Sequence, residues 1–331
     1  MRLTHVFICI LISILTLTAQ DLNSSKRIVK LMGCRFEITA TATEKNIAEQ
    51  AVEAGIQEIS RIEMLISEWK DSTQTSLINR NAGIKSVKVD KELYDLVFRA
   101  LKISALTDGA FDISFASMDK IWIFDKKEHS LPDSSIVKLA KSNINYRNIL
   151  LNPKQNTVFL KEKGMKIGFG AIGKGYSANK AKQIMEKIPG VKGGVVNASG
   201  DLLAWGESIH PDGWNVQISN PKDKTKSLGW IKLNNMSIVT SGDYENYFTS
   251  GGVRYAHIIN PRTGYPITEI KSVTIISPDA EFSDALATSV SVLGVEQGLK
   301  LVNQLNAVEC LIIDREDNIF TSTHLQLNYY K

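Results

Sequence analysis

Cysteine is scarce in this chain of 331 residues: three are present, Cys9, Cys34 and Cys310, and no CxxC pair occurs. Two distant thiols beyond the first twenty residues make neither a disulfide framework nor a zinc site. A single Cys34–Cys310 bridge in an oxidising compartment stays open at this point. Charge of one sign is also lacking. The formal net charge is +4, and the lysines and arginines are interspersed with acids. No basic stripe of the kind nucleic acid requires is left, so no nucleic-acid partner is expected. Solenoid-length repeats and low-complexity linkers are missing as well. A hydrophobic share of 43% with 22% charged residues sits near the globular average and excludes disorder, collagen and coiled coil.

The first twenty residues read as a secretory signal. Arg2 gives a positive start, residues 6–17 form a short apolar run, and Thr18, Ala19 and Gln20 precede Asp21 with small residues for cleavage. That run falls short of the about 20 residues a bilayer span takes, and no other stretch reads as a span. The expectation is an exported soluble protein, in the periplasm or at the outer face of the inner membrane. Left uncleaved, the same run would give an inner-membrane association. Residues 21–331 are expected to form one domain.

Apolar periodicity outlines the elements. Alternation over 27–31 and 35–41 predicts strands. Residues 44–69 read as a long helix, with Ala48, Val52, Ile56, Ile59, Ile62 and Ile66 at spacings of three and four and Thr43 as N-cap. A second helix follows Asp90, carries Leu93, Val97, Ala100 and Leu101, and stops near Gly109. From about residue 190 short strands follow at 193–197, 202–205, 214–218, 228–233, 237–240 and 273–276, separated by Gly, Asn and Asp. Helices at 283–293 and 295–305 precede strands at 308–314 and 318–322. Without steady βαβ alternation the fold class is α+β, with mixed, mostly antiparallel sheets and packed helices.

Five clusters are candidates for chemistry. The densest is residues 167–176, where Gly168, Gly170, Gly173 and Gly175 follow a short predicted strand and precede a helix expected from about Ser177. Glycines let backbone amides approach an anion, and a helix N-terminus adds partial positive charge, so a phosphate-bearing ligand is the natural inference. Two templates fit only partly. Gly168, Gly170 and Gly173 match GxGxxG without a βαβ unit around them, and Gly175 stands where a P-loop carries its magnesium hydroxyl. A turn needed only for helix–sheet packing is the plain alternative.

Asp284 and Thr288 are one helical turn apart, so their oxygens converge on one point and suit a hard cation such as Mg²⁺. Such an Asp also serves as a helix cap or dipole partner. The third cluster is Thr240, Ser241, Gly242, Asp243 and Tyr244, followed by residues 257–264. There His257 ends a strand before the turn enclosed by Pro261 and Gly264. An imidazole at that position is able to take a proton from a hydroxyl nucleophile, or simply to hold the turn by a hydrogen bond. Asp108 to Ser114 read as a helix C-terminal glycine followed by a strand, with Phe111 in the core and Asp112 in a turn. Asn197 to Asp201 read as an ordinary hairpin turn.

In this order the segments resemble the ApbE family of FAD:protein FMN transferases. The resemblance runs through Met32-Gly33-Cys34, residues 72–79, Gly109-Ala110-Phe111-Asp112, residues 170–176, residues 197–201, Thr240-Ser241-Gly242, residues 257–264 and residues 284–294. It implies an ApbE-like, T-fold-like single domain. It also implies an enzyme that uses Mg²⁺ to cleave the pyrophosphate of FAD, releases AMP and attaches FMN to a Ser or Thr hydroxyl. The implied partner is an exported or membrane-bound acceptor with a motif like Asp-x-Ser/Thr-Gly-Ala-Ser/Thr. By matching position Met32, Trp69, Ala110, Phe111, Asp112, Lys174 and Ile258 would contact FAD, with Trp69 and Phe111 as stacking surface and Asp112 as hydrogen-bond acceptor. Asp284, Thr288 and an oxygen of Ala171 would hold the metal, and His257 would activate the acceptor hydroxyl. Gly168 departs from the family's usual Asp, which contacts the flavin nucleotide; Cys34 departs from Thr and Gly173 from Ala. Rival readings are an FAD pyrophosphatase giving FMN and AMP, a non-catalytic flavin carrier and, last, an NAD-dependent oxidoreductase.

Overall fold

A computed structural model of the chain describes residues 22–118, 121–219, 227–243 and 246–328. The expected signal at 1–20 and Tyr244 lie outside the described residues. The first strands, β1 (Asn23–Leu31) and β2 (Cys34–Ala42), form a hairpin closed by Met32 (φ 49°) and Gly33 (φ 76°). Two left-handed residues match the twist of the flanking strands, which is why glycine stands second; methionine is unusual there.

Helix α1 (Lys45–Ile66) follows, burying Ala48, Val52, Ile59, Ile62 and Ile66 as the periodicity predicts. Its N-cap is Glu44, not Thr43, because the Thr43 amide donates to the carbonyl of Gly190. Next come α2 (Gln74–Arg80), β3 (Val87–Lys88), α3 (Lys91–Leu106), α4 (Ser134–Lys141), β4 (Ile149–Asn152) and β5 (Thr157–Leu160). Helix α5 (Gly173–Met185) leads into β6 (Val191–Ala198), β7 (Asp201–Gly206), β8 (Trp214–Ser219), β9 (Ser227–Leu233) and β10 (Met236–Gly242). The chain ends with β11 (Tyr247–Ser250), β12 (Val253–Ala256), β13 (Ile270–Ser277), α6 (Ala280–Val302), β14 (Glu309–Asp314) and β15 (Ile319–Thr321).

Eight strands form one sheet in the order β1-β2-β6-β7-β10-β13-β14-β15, with every neighbouring pair antiparallel. Its central strands are apolar on both faces. Val273, Ile275, Cys310 and Ile312 pack beneath α6, while Ile276, Leu311 and Ile313 pack on the opposite face with Ile218 and Leu233 of the β8–β9 hairpin. Helices α1 and α5 cover Phe36, Ile38, Val196 and Trp205 beside α6. A second core lies where the end of α1, α2, α3 and the small sheet β3-β5-β4 meet, around Ile62, Ile78, Leu93, Val97 and Leu160. This mixture of antiparallel sheets and packed helices is the α+β fold expected.

The structure answers what the sequence left open and corrects one expectation. Cys34 and Cys310 are not bridged, since β2 and β14 stand five strand spacings of about 4.8 Å apart. Helix α6 is long and apolar enough to cross a bilayer, although no such stretch was expected after the leader; the reason is that Ala285, Leu286, Ala287 and Val290 are core residues. The two helices predicted around Gly294 follow one another within α6 across a kink at Gly294, whose backbone is non-helical (φ 76°, ψ −176°), so the break falls where the sequence puts it.

The helices are tied to one another by charge. Arg61 of α1 donates to both oxygens of Glu92 of α3 at 2.7 and 2.9 Å, and the Tyr176 hydroxyl of α5 donates to the same carboxylate at 2.7 Å. The Arg61 hydrogen bond is the main reason the Glu92 carboxyl is held down to about 2. Arg99 of α3 reaches Glu281 of α6 at 2.7 Å.

Helices α5 and α6 approach closely because residue 175 is glycine. A Cβ there would collide with the carbonyl oxygen of Ala280 and stand 2.9 Å from the Cβ of Asp284. Gly→Ala inside an exposed helix stabilises by about 1 kcal/mol. Here the sign reverses: Gly175→Ala is expected to destabilise by about 2 kcal/mol, the usual cost of overpacking, as read by urea unfolding.

Candidate functional site

The short strand before the glycine-rich segment is β5, and residues 165–169 between them have no regular structure. They are held instead by Asn79, whose side chain accepts from the Ile167 amide (2.8 Å) and donates to the Ile167 carbonyl (3.0 Å). Gly168 donates to the carbonyl of Ile113 (2.9 Å), which lays the 110–113 segment alongside. Buried Met165, Ile167, Phe169 and Ile172 fasten the segment into the second core. Helix α5 begins at Gly173, four residues before the expected start, so Lys174 and Gly175 belong to its first turn.

The amides of a first turn have no partners within the helix and carry its positive end. No acidic residue lies in the first turn of α5. A carboxylate arrives from α6 instead: Asp284 Oδ2 accepts from the Gly175 amide at 2.9 Å. Thr288 follows one turn along α6 and is half-buried, as is Ala171 in the turn leading into α5. Among the described residues no group of three or more His, Cys, Asp or Glu is placed to hold a metal. The candidate donors are therefore one carboxylate, one hydroxyl and one backbone carbonyl. All are hard oxygens, which fit Mg²⁺ with water filling the remaining positions and do not fit zinc.

Lys174 is held by a residue the sequence reading passed over. Its Nζ lies 2.5 Å from Asp201 Oδ2, and the Asp201 side chain is only 3% exposed. Asp201 opens β7 directly after the turn made by Ser199 (φ 52°) and Gly200 (φ 110°). That hairpin read as ordinary; the available signal was an acid at an inward-facing position of the strand after it. Burial pushes the Asp201 carboxyl up, opposed by the Lys174 charge and by the Thr240 amide.

His257 follows β12, as predicted, and its imidazole lies close enough to Lys174 to feel its charge. Burial and then Lys174 hold the imidazole below its usual value. Its Nδ1 stands 3.2 Å from the Asn246 carbonyl oxygen. A carbonyl only accepts, so the proton resides on Nδ1 and Nε2 carries the lone pair.

The other residues named for FAD contact are placed as follows. The Phe111 ring is 1% exposed and enclosed in the second core, so it offers no stacking face. Ala110 is equally buried, and a short 3₁₀ helix from Ile113 to Met118 follows in place of the predicted strand. Asp112 uses both oxygens internally: Oδ1 accepts from the amide and hydroxyl of Ser114 at 2.8 and 2.6 Å, and Oδ2 accepts from the Tyr146 amide at 2.8 Å. Burial nevertheless raises its carboxyl. Trp69, at 74% exposure, is the aromatic surface offered to solvent. Met32 lies over the start of α5, its Cε 3.3 Å from where a Cβ on Gly173 would stand, and its amide donates to Glu63 (3.0 Å). Ile258 is buried, its carbonyl accepting from Ile267 at 2.9 Å. Arg262 donates to the Asp108 carbonyl (3.1 Å), tying the 257–264 loop to the 108–112 segment. Segments far apart in sequence thus surround the first turn of α5.

Comparison with known proteins agrees with this arrangement. The model of the ApbE family matches residues 32–312. A FAD:protein FMN transferase of Klebsiella pneumoniae (strain 342) is 30% identical over 82% of this chain and 85% of its own length. One of Treponema pallidum (strain Nichols) is 32% identical over 79% of this chain and 77% of its own. Among solved structures, the ApbE protein from Thermotoga maritima superposes with a TM-score of 0.83 at 30% identity, covering 91% of this chain and 97% of that one.

The two roles open to Asp284 separate by substitution. Asp284→Asn keeps an oxygen for the Gly175 amide while removing the charge. Folding stability is expected to fall by no more than about 1 kcal/mol, the size of a helix-dipole interaction, while Mg²⁺ binding read by titration calorimetry is lost.

Proposed function

We infer the reaction from one premise: the chain belongs to the ApbE family. We propose that it transfers FMN from FAD to a Ser or Thr hydroxyl of an acceptor protein, releasing AMP, with Mg²⁺ as the metal. The observation that carries this reading is the meeting of Lys174, the first-turn amides of α5 and Asp284 at one place, with His257 beside Lys174.

Each residue has a task in that reaction. Lys174 and the positive end of α5 oppose the negative charge of the diphosphate, while the Gly173 and Gly175 amides are taken by the Phe169 carbonyl and by Asp284. The buried Asp201 carboxylate keeps the Lys174 ammonium in place. Asp284, Thr288 and the Ala171 carbonyl would hold Mg²⁺, which when bound neutralises charge on the phosphates and on the departing AMP. His257 Nε2 takes the proton of the acceptor hydroxyl as the oxygen attacks the phosphorus of the FMN half. The bond from that phosphorus to the AMP oxygen breaks, and AMP leaves. The Asn246 carbonyl holds the tautomer that makes Nε2 the base. Trp69 offers its exposed face to a planar ring of the nucleotide. The leader expected at residues 1–20 supports an exported location, periplasmic or at the outer face of the inner membrane, where an acceptor with the Asp-x-Ser/Thr-Gly-Ala-Ser/Thr-like motif would be met.

Incubation with FAD, Mg²⁺ and an acceptor domain tests the reading. Flavin fluorescence that stays with the denatured acceptor is expected; free FMN indicates hydrolysis instead, and intact FAD indicates carriage without turnover. The pH profile tests the base. An imidazole held below its ordinary value of 6.5 stays neutral at lower pH, so the acid limb of the transfer rate is expected below pH 6.5. In His257→Asn the rate is expected to fall by about 10²–10⁴-fold with FAD affinity nearly unchanged.

A further inference from the structure

Gly168 has no side chain, yet the space above it is occupied. A Cβ built there would overlap Glu68 Oε2 and stand 2.6 Å from Glu68 Cδ. The carboxylate of Glu68 therefore lies against the backbone of the glycine-rich segment, at a point where any other residue at 168 would displace it. Glu68 follows the end of α1, and its carbonyl accepts from the Ser76 hydroxyl at 3.1 Å, which fixes the loop. Its neighbour is the exposed Trp69. Together with Asn79, Arg80 and Lys166 they line a cavity of about 290 Å³, at the small end of ligand pockets.

This cavity adjoins the phosphate-binding turn. The Phe169 carbonyl accepts from the amides of Ile172 and Gly173 at 3.1 and 2.7 Å, so the chain turns directly after Gly168, the residue against which the cavity's Glu68 lies. A ligand with its diphosphate at α5 has a nucleoside arm within reach of Trp69 and Glu68.

We propose that Glu68 is a substrate-binding residue that accepts hydrogen bonds from the hydroxyls of a nucleotide sugar while Trp69 stacks on the attached ring, an assignment that rests on the diphosphate site proposed above. An ionised carboxylate only accepts; Oε2 is enclosed against Gly168, so the other oxygen is the one offered to an O–H donor. Arg80 and Lys166 on the same lining balance the charge of Glu68, so its contribution is an acceptor for the neutral, donor-bearing arm, while the diphosphate lies with Lys174 and α5. Gly168 and Glu68 are a matched pair, in which the absence of a side chain at one position makes room for the carboxylate of the other.

Binding to the mature protein in EDTA, measured by titration calorimetry with FAD, ADP and pyrophosphate, tests this without turnover. Glu68→Gln is expected to weaken FAD and ADP about tenfold, the scale of one hydrogen bond to a charged group, and to leave pyrophosphate unchanged or tighter. Gly168→Asp alone is expected to weaken FAD, because two carboxylates compete for one space. Combined with Glu68→Ala, Gly168→Asp puts a carboxylate back and is expected to bind FAD within about threefold of the unaltered protein. Unchanged FAD and ADP affinity in Glu68→Gln overturns the proposal. An equal loss of pyrophosphate also overturns it, because the residue then serves only the fold. Binding of ADP but not FAD, with the same loss in Glu68→Gln, keeps the role of Glu68 and overturns the transferase reading; binding of neither nucleotide overturns both.

Discussion

The carboxylate of Asp284 meets the amide of Gly175 because two helices come closer than side chains ordinarily permit. That approach depends on a residue without a Cβ in the first turn of α5 and on a core helix apolar enough to be buried on nearly every side. The hydrogen bond satisfies one of the unpaired amides at the positive end of α5 and fixes the direction in which the acid points. Thr288 stands one turn beyond it, and Lys174 one residue before its partner. The eight-stranded sheet serves this meeting by supporting α1, α5 and α6 side by side on one face.

Around that contact the charges are arranged in sequence. Asp201 is nearly inaccessible and holds Lys174, and burial together with the Lys174 charge favours the neutral form of the His257 imidazole. A cation required for phosphate and a base required to be uncharged are thus adjacent without conflict, since the positive charge of one favours the neutral state of the other. The single Asn246 carbonyl determines which nitrogen is basic.

Much of the fold was legible in the sequence. The stripe on α1, the alternation in β2 and β6, and the break at Gly294 are local patterns, and local patterns survive in the structure. Other small elements were not legible: α2 has a cap at Thr73 but spans two turns only, and β11 has no apolar alternation strong enough to mark it. The site was legible in part. Gly175, Asp284 and Lys174 announced themselves by spacing and residue type. Phe111 did not, because an aromatic ring beside a polar motif reads the same whether it faces a ligand or, as here, the core. The internal bonds of Asp112 were not legible either, because Ser114 and Tyr146 clasp it only once their segments are folded together. Asp201 and Glu68 were missed because their importance arises from tertiary neighbours 27 and 100 residues away, which no window along the chain contains.

The interruption at Gly294 has a mechanical meaning. A continuous helix transmits any added or deleted residue as a rotation of about 100° to everything rigidly joined to it. At Gly294 the backbone departs from the helix, so rotation arising on the far side is absorbed before it reaches the turn that bears Asp284 and Thr288. Beyond it Gly298 packs closely on Val290 and Val302 is wholly buried, so the two halves of α6 are each held by the core while the oxygen-bearing turn keeps its aim.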